Sequence, residues 1–282
     1  MPIHFEAITN DYKNSEMLAW LFGPCMNQGK EVFTTPKQDI IILRSDMIDI
    51  KTSEAIGKYS FLIWQNKKEN RFEIQDVDVT LNNASATKIR FLENKEKKPK
   101  EKFHLFKRKN SEPEGNGCYE VELLDVDAHC LAEAANRYTV NTKLENTERD
   151  AFISAFPYQL NLFDDMEAVN HFFGFDREIS VGNTGIKVGG LSPTFISPSN
   201  PTENEDLSSL VIGEIKNWRD VCIEMGEISL NFVLTQIETA LGTIPVAMGR
   251  EVFDIQGIEE GKMVAMHCYV KADLARPEDF QH

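Results

Sequence analysis

Residues 227–239 read "EISLNFVLTQIET". Ile228, Leu230, Phe232 and Leu234 alternate with Ser229, Asn231, Val233 and Thr235, the two-residue period of a strand with one buried face. "DVCIEM" and the pair Gly226-Glu227 come just before, so a hairpin with a glycine-first two-residue turn is expected. Gly242 then breaks the chain ahead of "TIPVAM", where Pro245, having no N–H to donate, suits an edge strand. In "KMVAMHCYVKADL", Val264, Met266, Cys268 and Val270 alternate with Ala265, His267, Tyr269 and Lys271, which predicts a core face and a wetter face.

Counting "LVIGEI" and "DVCIEM" as separate strands, residues 207–275 hold about five closely spaced strands, the pattern of a small β-barrel or sandwich. In strand count and length the region resembles an OB-type barrel, a resemblance that covers roughly a quarter of the chain and speaks to fold alone. Many such barrels hold single-stranded nucleic acid in a basic groove. Here Lys216, Arg219, Arg250, Lys262 and Lys271 are outnumbered by acidic residues, which points to a protein partner instead.

Working upstream, "DIIILRSDMIDI", "YSFLIW" and "RFEIQDVDVTL" are rich in isoleucine, valine and aromatics and read as strands. "NSEMLAWLFGP" starts like a helix at Asn14 or Ser15 and is expected to stop at Gly23-Pro24. In "LFDDMEAVNHFFGF", Asp164 can cap a helix, Glu167 stands in the capping-box position and Gly174 can end it, with Met166, Val169 and Phe173 on one face. "NSEPEGNG" over 110–117 and "SPTFISPSNPTENED" over 192–206 concentrate turn residues. The expected architecture is mainly β with a few short helices (α+β). It has a β-rich N-terminal region over residues 1–200, subdivided near 110–117, and a small barrel-like domain over 207–282.

The 282 residues are 41% hydrophobic and 27% charged, the balance of a folded globular protein. Apolar runs are too short to span a bilayer, and the start "MPIHFEAITNDYK" has neither a basic leader nor an apolar stretch. Five cysteines, Cys25, Cys118, Cys130, Cys222 and Cys268, include no CxxC pair, so they read as reduced thiols. These features predict a cytoplasmic protein with no membrane segment.

The net charge of −15 repels nucleic acid and anionic membranes. One stretch opposes it: residues 95–109, "KEKKPKEKFHLFKRK", from Lys95 to Lys109, carry +6 and leave −21 on the rest. Lys97, Lys98, Lys107 and Arg108 are the residues there that would meet an anionic partner, although a solvated arm is the plainer reading of such a run.

"VDAHCLAEA" (126–134) and "VAMHCYVKA" (264–272) place valine, His-Cys and alanine at the same offsets, 138 residues apart. On extended backbone, His129 and Cys130, and likewise His267 and Cys268, point to opposite faces, which argues against a shared metal or a base–nucleophile pair. Asp125, Asp127 and His129 line one face of the same strand and suit a divalent ion or proton transfer, with Glu120 and Glu122 out of register; a charged outer face is the plainer reading. "VGNTGIKVGG" matches neither the Walker nor the dinucleotide glycine pattern and reads as a short hairpin between tight turns. No cofactor is implied. The function expected is a non-enzymatic binding or assembly module whose partner is a protein or a second copy. Behind it stand a divalent-metal-dependent hydrolase using Asp125, Asp127 and His129, and a nucleic-acid binder using residues 95–109.

Overall fold

The computed structural model describes residues 4–10, 15–28, 30–34, 38–82, 86–92, 117–126, 128–134, 146–175, 178–181, 184–187, 190–197, 208–225 and 228–274. Among the described residues the fold is mostly β with two short α-helices. After a 3-10 turn (His4–Ala7) and helix α1 (Ser15–Gln28), strands β1 (Lys30–Thr34), β2 (Gln38–Asp49), β3 (Glu54–Asn66) and β4 (Arg71–Leu81) form an antiparallel sheet in that order. There follow β5 (Ala86–Phe91), β6 (Gly117–Leu123), β7 (Ala128–Ala134), β8 (Glu148–Phe163) and helix α2 (Met166–Phe173). Next come the hairpin β9 (Glu178–Val181) and β10 (Thr184–Lys187), then β11 (Thr194–Ile196), β12 (Ser209–Met225), β13 (Ile228–Thr239), β14 (Gly242–Gly249) and β15 (Met263–Leu274). Among the described residues, no helix is long and apolar enough to cross a membrane.

The second large sheet runs β11-β12-β13-β14-β8-β15-β7-β6-β5, with further pairings β12–β15 and β8–β5. Two circuits of strand pairing therefore return to their start: β12–β13–β14–β8–β15 and β5–β6–β7–β15–β8. The antiparallel β8–β15 pair belongs to both, in register from Met263↔Phe163 to Leu274↔Ala151. With β5–β8 and β12–β15 taken as two four-strand units in chain order, the third strand of each lies parallel to the last strand of the other, β7 beside β15 (Glu133↔Lys271) and β14 beside β8 (Ala155↔Val246).

Several expectations change in three dimensions. "LVIGEI" and "DVCIEM" are one strand, β12, carried past an irregularity between Ile215 and Asn217. β13 buries both faces: Leu230, Phe232 and Leu234 pack toward the β1–β4 sheet, while Val233 and Ile237 fill the space between the strands of the circuits. β14 is bordered by β13 and β8, not left at an edge; its single register pair with β8 makes a short ladder that tolerates Pro245. α1 continues through Gly23-Pro24 to Gln28, because Met17, Leu21 and Cys25 recur at helical spacing on one buried face. α2 is capped by Asp165 and not Asp164: the Asp165 side chain accepts the Ala168 N–H at 2.8 Å, and Gly174 closes the helix at φ 72°.

One core, around Phe91, Val121, Val233, Val264 and Val270, lies within the nine-stranded sheet. A second joins α1 and the β1–β4 sheet to the outer face of that sheet through Phe61, Val79, Phe156, Val221 and Phe232. A third, smaller one seats Val169 of α2 on Ile212, Met263 and Ala265.

Candidate functional site

β15 passes all three zones of the molecule, and its alternation explains what it presents to each. Val264, Met266, Cys268, Val270, Ala272 and Leu274 enter the first core. On the other face, Met263 and Ala265 lie under α2, His267 and Tyr269 are half-buried, and Lys271 and Asp273 are 0% and 2% exposed. Lys271, expected on a wetter face, is thus fully enclosed. The β1–β4 sheet, far away in the chain, closes over it.

Its ammonium is densely coordinated. Lys271 Nζ stands 2.8 Å from Asp78 Oδ2 and 3.1 Å from Asp273 Oδ1, and donates to the Val79 carbonyl at 2.5 Å and to Thr80 Oγ1 at 3.1 Å. Asp78 is 8% exposed, and its other oxygen, Oδ1, accepts the Val79 N–H at 2.9 Å. Among the described strands β4 pairs with β3 alone, so Lys271 caps an edge carbonyl while bridging the two sheets. Burial by itself would pull the lysine pKa down; Asp273 and Asp78 outweigh it and push it above the ordinary value. Ser154 of β8, the register partner of Lys271, is 2% exposed, and its Oγ has no hydrogen-bond partner among the described residues.

Farther along the same face is an aromatic cluster. Pro157 pairs with Cys268 and Gln159 with His267, leaving Tyr158 as the extra residue of a bulge. Bulges re-aim side chains. The Tyr158 ring lies 5.3 Å from Tyr269 and 6.1 Å from His267, its hydroxyl shares a 2.7 Å hydrogen bond with Ser208 Oγ, and the residue is 38% exposed.

The residues singled out from the sequence fall elsewhere. Asp125 lies in the turn at 124–126, not on extended backbone, and its Oδ2 accepts the Lys88 N–H at 3.2 Å. Asp127 lies outside the described residues, as do Lys97, Lys98, Lys107 and Arg108. His129 is on β7 with Nδ1 3.8 Å from Glu120 Oε1, because the β6–β7 hairpin brings across the strands two residues that are out of register along the chain. Glu122 instead pairs with Arg90 at 2.7 Å. Among the described residues no group of three or more His, Cys, Asp or Glu side chains is placed to hold a metal ion.

The two His-Cys segments prove to be parallel neighbours. Glu133↔Lys271 is the same 138-residue offset as the sequence match, so β7 and β15 lie side by side in matching frame. They are not equivalent strands of the two units, being third in one and fourth in the other. Cys130 and Cys268 are buried, and burial together with the nearby Cys130 pushes the Cys268 thiol up, which leaves it protonated and inert. A shallow groove of about 430 Å³ beside Trp218 is lined by polar groups that satisfy one another, Arg219 with Glu54 at 2.9 Å and Asn217 with Gln236 at 2.8 Å. Comparison of the chain with protein-family models, with curated proteins and with solved structures finds no match.

Tyr158 and Asp78 escaped sequence reading. Tyr158 sits in an apolar run with no motif, and Asp78 alternates in "DVDV" like any outer-face acid.

Proposed function

We propose that this protein is a non-catalytic binding module that recognises a protein, either a partner or a second copy of itself, through the Tyr158–His267–Tyr269 surface. The observation that carries the reading is the placement of that cluster: half-exposed aromatics on β8 and β15, the strand pair common to both circuits. Aromatic side chains on a rigid frame lose little entropy on contact and dominate interface energetics. The circuit β12–β13–β14–β8–β15 serves as a small barrel-like frame for it, with β8 supplied from upstream of residue 207. The charge of −15 favours a protein over a polyanion.

Native mass spectrometry and affinity pull-down test this with the wild type and the Tyr158→Ala/Tyr269→Ala double variant. The expected result is self-association or one retained protein, lost in the double variant. A monomeric wild type that retains nothing, or a complex indifferent to the double variant, overturns the reading.

A further inference from the structure

We propose that Lys271 and Asp78 condense into an intramolecular amide, a covalent bolt between β15 and β4, with Asp273 carrying the proton.

The geometry supplies each part. The nucleophile and the acyl carbon's carboxylate are in contact, with Nζ 2.8 Å from Asp78 Oδ2. A second carboxylate, Asp273, reaches the same nitrogen at 3.1 Å. Asp78 Oδ1 is held by the Val79 N–H at 2.9 Å, so negative charge that builds on it during attack meets a fixed backbone donor. Val79 O and Thr80 Oγ1 orient the amine. Exposures of 0% for Lys271, 2% for Asp273 and 8% for Asp78 leave little room for the water that would hydrolyse the product.

The step balances without a co-reactant. One proton passes from the ammonium by way of Asp273 to Asp78 Oδ2, so that a neutral amine faces a neutral carboxylic acid, and the nitrogen lone pair attacks Asp78 Cγ. The tetrahedral carbon then breaks its bond to Oδ2, which already carries one proton and leaves as water with a second proton taken from nitrogen through Asp273. Ammonium and carboxylate become amide plus water, and Asp273 ends as it began. The amide N–H keeps Val79 O and Asp273 as available acceptors. A net drive exists because the two charges that condense stand in a dry site, where an ion pair is costly to keep. Asp78 and Lys271 are 193 residues apart, so the link would close most of the chain into one loop.

The test is the denatured intact mass of the full wild-type chain, with peptide mapping by tandem mass spectrometry. The expected result is a mass lower by one water and a branched peptide joining Asp78 to Lys271. Lys271→Arg and Asp78→Ala restore the full sequence mass, and Asp78→Asn loses one ammonia in place of water. Asp273→Asn leaves an unlinked fraction. A wild-type chain at full sequence mass with no branched peptide overturns the proposal, and so does a water loss that persists in Lys271→Arg. The wild-type measurement stands even if every variant fails to fold.

Discussion

Replacing Asp49 with alanine is expected to unfasten the β1–β4 sheet from β12. Asp49 ends β2 and is 0% exposed. Its carboxylate accepts hydrogen bonds from the Cys222 N–H at 3.2 Å, the Lys51 N–H at 3.3 Å and the Thr52 hydroxyl at 3.0 Å, while the Ile50 N–H returns a bond to the Cys222 carbonyl at 2.9 Å. Lys51 and Thr52 are exposed, so water replaces the carboxylate for them at little cost. The Cys222 N–H lies within a sheet and loses a charge-assisted bond, about 1.5–3 kcal/mol. Adding the two exposed contacts brings Asp49→Ala to about 2–4 kcal/mol, and Asp49→Asn, which keeps an acceptor without the charge, to about half of that. The carboxyl is held below its ordinary 3.8: burial opposes this, but the bonds from Cys222, Lys51 and Thr52 and the charge of Arg219 outweigh it. A depressed folded-state pKa stabilises the protein above the unfolded value and loses that contribution as pH falls through the folded one. The gap between wild type and Asp49→Ala therefore narrows below about pH 4. Urea unfolding followed by circular dichroism, at neutral and acid pH, measures both effects. An Asp49→Ala midpoint within about 0.5 kcal/mol of wild type at neutral pH refutes the reasoning, since surface-like losses are of that size.

Three other perturbations follow from packing. Lys271→Met removes the link to Asp78, leaves the Asp78 and Asp273 carboxylates buried without their cation, and is expected to cost at least about 3–5 kcal/mol, read as a lowered denaturation midpoint. Cys25, pushed up to about 12 by burial, and Cys268, pushed up by burial and Cys130, stay unalkylated by iodoacetamide near about pH 8 in the native protein and react once it is unfolded; mass mapping that finds equal rates contradicts the burial argument. Gly213→Ala drives a Cβ into the Glu238 carbonyl and against the Ile237 side chain, and an overpacking cost of about 1–3 kcal/mol is expected in thermal unfolding.

How far the chain could be read depended on how local the cause was. Alternation in β13 and β15 marked both strands, and the hairpin from β12 into β13 formed with Met225 opposite Ile228. A hairpin does involve the glycine-rich stretch, but its first strand, β9, begins three residues upstream of that stretch at Glu178. Alternation did not show that Val233, Thr235 and Ile237 are as buried as Phe232, since a period of two says only that the faces differ, not what covers them. Helix stop signals at Gly23-Pro24 lost to the burial of Leu21 and Cys25 on either side. The candidate row of Asp125 and His129 presumed continuous extension, which the turn at 124–126 breaks. The aromatic cluster depended on one extra residue in β8, a register detail with no local signature.

By itself, then, the chain determined its class, a mainly β protein with a few short helices, because side-chain period is a property of neighbours in sequence. It also determined that His129 and Cys130 part company, since successive residues of a strand face opposite ways. Only the tertiary structure decided that Lys271 is a buried bridge. Asp78 reaches it across 193 residues, and the electrostatic cost of enclosing a charge is offset by whichever partners the fold delivers, not by anything adjacent in the sequence.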